Sequence, residues 1–149
     1  TGILFNHESE RRGFEFVTRK ISQAVAMIKQ KKLKYLELGN LEAKRDWGYA
    51  PEYVEAMWLM LQQKSPDDYV VGTGQTESIK YFVQKAFEVV NLKYEKYLKI
   101  NKKYFRPAEV ELLVANSSKI NKKTGWKAKT GIDKLIEKMV LNDLKILEK

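Results

Sequence analysis

Between Ile79 and Val90 the apolar residues Ile79, Phe82, Val83, Ala86, Phe87 and Val90 stand at offsets 0, 3, 4, 7, 8 and 11. That spacing puts them on one face of an amphipathic helix. Just upstream, Tyr69-Val70-Val71 is a short β-favouring run ended by Gly72-Thr73-Gly74. Such a run is too short for a helix and bounded as a strand should be. A strand, a glycine turn and a striped helix in that order constrain the chain strongly, because the order recurs.

Gly2-Ile3-Leu4-Phe5-Asn6 contains a short apolar run, read as a buried strand over Ile3–Asn6. Val17, Ile21, Ala24, Val25 and Ile28 then predict a helix over about 17–30. Leu33–Leu38 reads as a strand with Gly39-Asn40 as its exit turn. Pro51 suits the first turn of a helix running to Gln63, with Val54, Met57, Trp58 and Leu61 expected inward. Beyond Asn91 the pattern weakens, until Ser117-Ser118 predict the cap of a short helix closed by Gly125. A last helix is expected from Thr130, with Asp133 completing a capping box and Ile132, Leu135, Ile136, Met139, Val140 and Leu144 buried. Strands alternating with helices predict an α/β fold with parallel pairing. Three striped helices against about three strands leave a sheet short of members, and the opening strand lacks an upstream partner. A piece of a larger α/β protein has that pattern.

The 149 residues are one domain's worth, 44% hydrophobic and 32% charged. With no cysteine, disulfides, thiolate zinc sites and thiol nucleophiles are excluded; the lone His7 argues against a histidine-rich metal site. No apolar run approaches a membrane span and no signal peptide opens the chain, so a cytoplasmic protein without membrane association is expected. The net charge of +9 is uneven: 13 basic against 12 acidic residues over 1–92, and 15 against 7 over 93–149. A basic binding module for nucleic acid or another polyanion is therefore one functional reading. The excess, however, is mostly lysine, 23 against five arginines, which suits solvated faces. The arginines collect in three places: Arg11, Arg12 and Arg19; Arg45; and Arg106. A planar guanidinium grips phosphate in a bidentate manner that an ammonium cannot copy, so the pattern favours a diphosphate-bearing small ligand.

Two apparent motifs are set aside. Gly72-Thr73-Gly74 resembles a dinucleotide-binding turn, but Glu77 occupies the third glycine's place, which makes it a structural turn. Tyr81 and Lys85 have a Tyr-x-x-x-Lys spacing yet lie off the apolar stripe, so they are not catalytic. The three tryptophans, Trp47, Trp58 and Trp126, are assigned to core packing. Three further segments carry chemistry. His7-Glu8-Ser9-Glu10-Arg11-Arg12 follows a strand end, where open α/β sheets collect ligands. Arg45-Asp46-Trp47-Gly48-Tyr49 precedes a helix, and Arg106-Pro107-Ala108-Glu109 joins a phosphate-binding group to a carboxylate suited to ribose hydroxyls. Each also has a plainer reading as a solvated loop or a surface ion pair.

In order along the chain, these segments with Phe16-Val17-Thr18-Arg19-Lys20-Ile21, Leu38-Gly39-Asn40-Leu41, Trp58-Leu59-Met60-Leu61-Gln62-Gln63 and Gly125-Trp126 resemble the GDP-mannose 4,6-dehydratase family. The resemblance spans essentially the whole chain and corresponds to the carboxyl-terminal part of that extended short-chain dehydrogenase fold. It implies a Rossmann-like architecture whose amino-terminal coenzyme half is absent here. It also implies NADP as coenzyme and GDP-mannose, or GDP, as ligand. In the family, C4 of the mannose is oxidised, water is lost across C5–C6, and the hydride returns to C6. Carried over by residue, His7 and Arg12 match coenzyme contacts. Asn6, Val17, Lys20, Gly39, Arg45, Arg106 and Glu109 match the nucleotide-sugar site, with Arg45 and Arg106 on the diphosphate and Glu109 toward the ribose. No catalytic residue is carried over, because the family's Thr, Glu, Tyr and Lys and its glycine-rich loop belong to the other half. The resemblance thus implies a fragment inactive alone, in a family that is expected to form homo-oligomers. Glu10 replaces a common proline and Tyr49 a usual histidine, and Leu92–Lys103 is short and lysine-rich.

Overall fold

The computed structural model describes residues 1–105, 108 and 110–148. Among these residues eight short strands pair two by two. β1 (Gly2–Leu4) runs parallel to β6 (Tyr69–Val71), and β2 (Asn6–Glu8) parallel to β5 (Trp47–Tyr49). β3 (Leu36–Leu38) lies parallel to β8 (Leu98–Ile100), while β4 (Lys44–Arg45) pairs antiparallel with β7 (Glu77–Ser78). Five helices accompany them: α1 (Val17–Lys29), α2 (Ala50–Leu61), α3 (Ile79–Val89), α4 (Ser118–Thr124) and α5 (Ile132–Leu147). The architecture is the expected α/β one, with helix boundaries close to those the periodicity predicts.

Two hydrophobic clusters organise the chain. In the larger, Ile21, Val25 and Ile28 of α1, Phe82, Val83 and Phe87 of α3, and Leu135, Ile136 and Met139 of α5 pack together with Leu36, Leu38 and Trp47. The shortage of strands is thereby resolved: the three striped helices bury their apolar faces largely against one another. α1 and α5 are also tied by polar groups, because Asp143 accepts from Ser22 Oγ (2.6 Å) and lies 2.7 Å from Arg19 Nη2. The smaller cluster joins Tyr53 and Ala56 of α2, Tyr69 and Val71 of β6, Ile120 of α4 and Trp126. Trp126 Nε1 donates to the Glu52 carbonyl at 2.8 Å and fixes α2 against the segment leading into α5.

Several local expectations are corrected. The opening strand is not confined to Ile3–Asn6: after β1, Phe5 N–H donates to Val71 O (2.9 Å) and pairing resumes as β2 against Trp47-Gly48-Tyr49. His7 and Glu8 therefore sit on a strand rather than a loop. The strand expected over Leu33–Leu38 forms only from Leu36, because α1 unwinds through Lys31 at φ 58° and Leu33 faces solvent. Its partner β8 hides in a lysine-rich stretch. On α2 the buried residues are Tyr53 and Ala56, while the stripe Val54, Met57, Trp58 and Leu61 is exposed, Leu61 by 82% and Trp58 by 60%. Only Trp47 and Trp126 act as core tryptophans. Ser117, expected as the cap of α4, makes no side-chain capping hydrogen bond. The capping box before α5 does not form. Thr130 donates its N–H and Oγ1–H to the Glu52 carboxylate (3.0 and 2.6 Å), and Asp133 accepts from Tyr81 Oη (2.8 Å).

Candidate functional site

A strand presents successive side chains to opposite faces, and β2 separates two clefts this way. One, of about 640 Å³, is lined by Asn6 and Glu8 together with Val17, Lys20, Gly39 and Arg45. The other, of about 320 Å³, is lined by His7, Arg12 and residues 3–6. The five positions expected at a nucleotide-sugar site that lie among the described residues thus share the larger cleft, and the two expected at a coenzyme site share the smaller. Arg106 and Glu109 lie outside the described residues. Asn6 borders both clefts.

In the larger cleft, Val17 and Lys20 come from the first turn of α1, and Gly39 from the exit of β3. A Cβ on Gly39 would stand 2.5 Å from the Tyr104 carbonyl oxygen, so only glycine allows this backbone approach. The approach brings Tyr104 and Phe105 to the cleft wall, and Lys20 Nζ sits 3.9 Å from the Tyr104 ring centroid. Arg45, on β4, donates from Nη1 to the Lys44 carbonyl at 2.8 Å. Its neighbour Asp46 is fully buried. That carboxylate accepts from Thr73 N (2.9 Å), Thr73 Oγ1 (2.6 Å), Gly74 N (2.8 Å) and Ala115 N (3.1 Å). Gly72-Thr73-Gly74 is therefore a structural turn clamped by Asp46, as its missing third glycine implies.

Glu8 lines the larger cleft and is buried. It accepts from Thr18 Oγ1 at 2.6 Å and meets Arg12 Nε at 3.2 Å. Burial pushes its carboxyl above the ordinary value, although the Thr18 hydrogen bond and the Arg12 charge pull the other way. Arg12 is held from a second side by Phe16, whose ring centroid is 3.4 Å from the guanidinium carbon. The third arginine of this group does not face a ligand: Arg19 is buried on Asp143 and donates to the Glu10 carbonyl. Sequence reasoning missed Glu8 and Thr18. The signal was present in the alternation along Asn6-His7-Glu8, which assigns Glu8 to the same face as Asn6.

In the smaller cleft, His7 Nδ1 lies 2.8 Å from the Phe5 carbonyl oxygen. The imidazole stacks on Tyr53, with ring centroids 5.0 Å apart and planes at 28°. Tyr81 and Lys85 lie elsewhere and engage Asp133 and Glu88. Among the described residues no group of three or more His, Cys, Asp or Glu is placed to hold a metal ion. Nor does any helix there have the length and apolarity to cross a membrane.

The fold has close counterparts. The structure of RMD from Pseudomonas aeruginosa complexed with NADPH superposes with a TM-score of 0.88 at 19% identity, over 97% of this chain and 48% of that one. A dTDP-glucose 4,6-dehydratase from Bacillus anthracis in complex with NAD gives 0.83 at 14% identity, over 99% of this chain and 44% of that one. The class is accordingly the Rossmann-like fold of short-chain dehydrogenases, epimerases and dehydratases.

Sequence narrows it further. GDP-mannose 4,6 dehydratase 1 of Arabidopsis thaliana is 51% identical over 148 residues, covering 99% of this chain and 41% of its own length. The Homo sapiens GDP-mannose 4,6 dehydratase is 44% identical over 163 residues, 98% of this chain and 44% of its length. Residues 1–139 match the model of the GDP-mannose 4,6 dehydratase family, and the chain belongs to that family. It spans about two fifths of the length of these relatives.

Proposed function

We propose that this chain is the nucleotide-sugar-binding part of a GDP-mannose 4,6-dehydratase, and that it does not dehydrate GDP-mannose by itself. The observation that carries the reading is the shared cleft: Asn6, Val17, Lys20, Gly39 and Arg45, scattered over the sequence, line one space of about 640 Å³. Arg45, with Arg106, neutralises the diphosphate; Lys20 adds positive charge at the mouth of α1; Glu109 accepts from the ribose hydroxyls. Asn6 bridges sugar and phosphate at the strand end.

The smaller cleft offers one cation to part of an anionic dinucleotide. Arg12 is held by Glu8 and Phe16 beside His7, so a guanidinium is aimed before any ligand arrives. NADP would supply the hydride-transfer chemistry there. The chain's own residues bind and orient, and the proton-transferring residues are expected in the remaining length of the family's chains.

Calorimetric titration of the chain with GDP, ADP and UDP tests the reading. GDP should bind best, and Arg45→Lys should weaken it about tenfold, the loss of one charge-assisted hydrogen bond. GDP-mannose with NADP should yield no 4-keto sugar, and turnover above background would refute the inactivity. The rival polyanion reading predicts affinity for oligonucleotides that falls by orders of magnitude between low and physiological salt, without regard to guanine.

A further inference from the structure

We infer that Tyr53 is a positioning residue that presents Nε2 of His7 to the smaller cleft as a hydrogen-bond acceptor, so that this point takes a hydroxyl or amide N–H donor rather than an anion. A carbonyl oxygen only accepts, so the 2.8 Å contact between His7 Nδ1 and Phe5 O requires the proton on Nδ1. In the neutral imidazole, Nε2 then carries the free lone pair.

A hydrogen bond at one ring atom still allows the ring to swing about it. Tyr53 removes that freedom by stacking on the imidazole at 5.0 Å. Tyr53 is itself immobilised. It is wholly buried, its ring meets Trp126 edge-on at 5.9 Å, and α2 anchors it from behind. Gly48 completes the arrangement, since a Cβ there would stand 2.3 Å from Tyr53 Cε2. β2 and β5 pair His7 directly with Gly48, so the tyrosine occupies the space that a side chain opposite His7 would fill. The Tyr53 hydroxyl is buried and without a hydrogen-bond partner among the described residues. The ring rather than the hydroxyl therefore carries the role. The division of labour in the cleft follows: Arg12 takes negative charge, and His7 takes a neutral donor such as a sugar hydroxyl or a carboxamide.

The identity of that donor as part of a coenzyme rests on the proposed function; the tautomer and its dependence on Tyr53 do not. His7 is the single histidine, so its ring nitrogens can be read without assignment ambiguity by long-range nitrogen–proton NMR of the chain alone. At a pH where the ring is neutral, the parent should show Nδ1 protonated and Nε2 bare. Tyr53→Phe should keep that signature and the ring-current shift on the imidazole protons. Tyr53→Leu should lose the shift and give a mixture of tautomers. A parent with the proton on Nε2 overturns the inference, and so does a folded Tyr53→Leu with the parent's signature. Should Tyr53→Leu fail to fold, Gly48→Ala, which pushes the ring aside, provides the same comparison. A parent with the expected tautomer that binds neither NADP nor NADPH at millimolar concentration would count against the coenzyme reading alone.

Discussion

Arg19 Nη2 lies 2.7 Å from the Asp143 carboxylate, with both side chains less than 5% exposed. The pair joins the first helix to the last, and Ser22 donates a second hydrogen bond to the same carboxylate. Removing one member leaves the other charge buried without compensation. Asp143→Ala should therefore cost about 3–5 kcal/mol in denaturant unfolding. Arg19→Met combined with Asp143→Leu should cost clearly less than Asp143→Ala alone, because apolar partners of similar size leave no stranded charge. A single variant within 1 kcal/mol of the parent, a threshold set from about the same principle, would show the pair to be inconsequential.

Burial raises the carboxyls of Glu8 and Asp143 above their ordinary values of 4.5 and 3.8. Between those values and the raised ones, the folded chain holds protons that the unfolded chain has released. Stability from these two groups is thus greatest on the acid side, falls as pH rises through that window, and is flat above it. Glu8→Gln should flatten part of this slope in melting temperature against pH, leaving the Asp143 share. An unchanged slope would remove Glu8 from the account.

Gly39→Ala should disturb the larger cleft more than the fold. Its Cβ would collide with the Tyr104 backbone, and overpacking of this kind costs about 1–3 kcal/mol. Because Tyr104 and Phe105 form the cleft wall, GDP affinity should fall about tenfold while the far-ultraviolet spectrum stays unchanged. Equal GDP binding by parent and variant would show that this wall does not touch the nucleotide.

On α2, Trp58→Gln and Leu61→Gln should each change stability by no more than about 0.5 kcal/mol, as exposed substitutions do. Were these residues core members, as their spacing suggests, truncation would cost about 2–5 kcal/mol. Urea unfolding distinguishes the two cases.

The helices were largely legible from periodicity, because α1, α3 and α5 bury the very stripes their sequences display. What periodicity cannot say is which partner covers a stripe. Val54, Met57, Trp58 and Leu61 are as regular as Phe82, Val83 and Phe87, yet only the latter are covered in this chain. Short strands were the poorest part. β4, β5, β7 and β8 have two or three residues each, too few for alternation to register, and their existence depends on distant partners such as Leu36–Leu38. The proposed site was read from order along the chain more than from any single residue. Arg45 and Lys20 line the larger cleft, whereas Arg19, equally basic and only one position from Lys20, points into the helix layer because a helix turns about 100° per residue. Glu8, Thr18 and Tyr53 received no role from the sequence because a buried polar partner leaves no mark in composition.

The parallel register of β2 on β5 matches Asn6 with Trp47, His7 with Gly48 and Glu8 with Tyr49. Since neighbouring strand residues face opposite ways, displacement by a single position would interchange what the two hollows receive: an imidazole would enter the roomier one, and the carboxylate that steadies Arg12 would turn its back on it. One peptide unit of alignment, with Gly48 leaving room for an aromatic ring, is thus what keeps the two compartments chemically different.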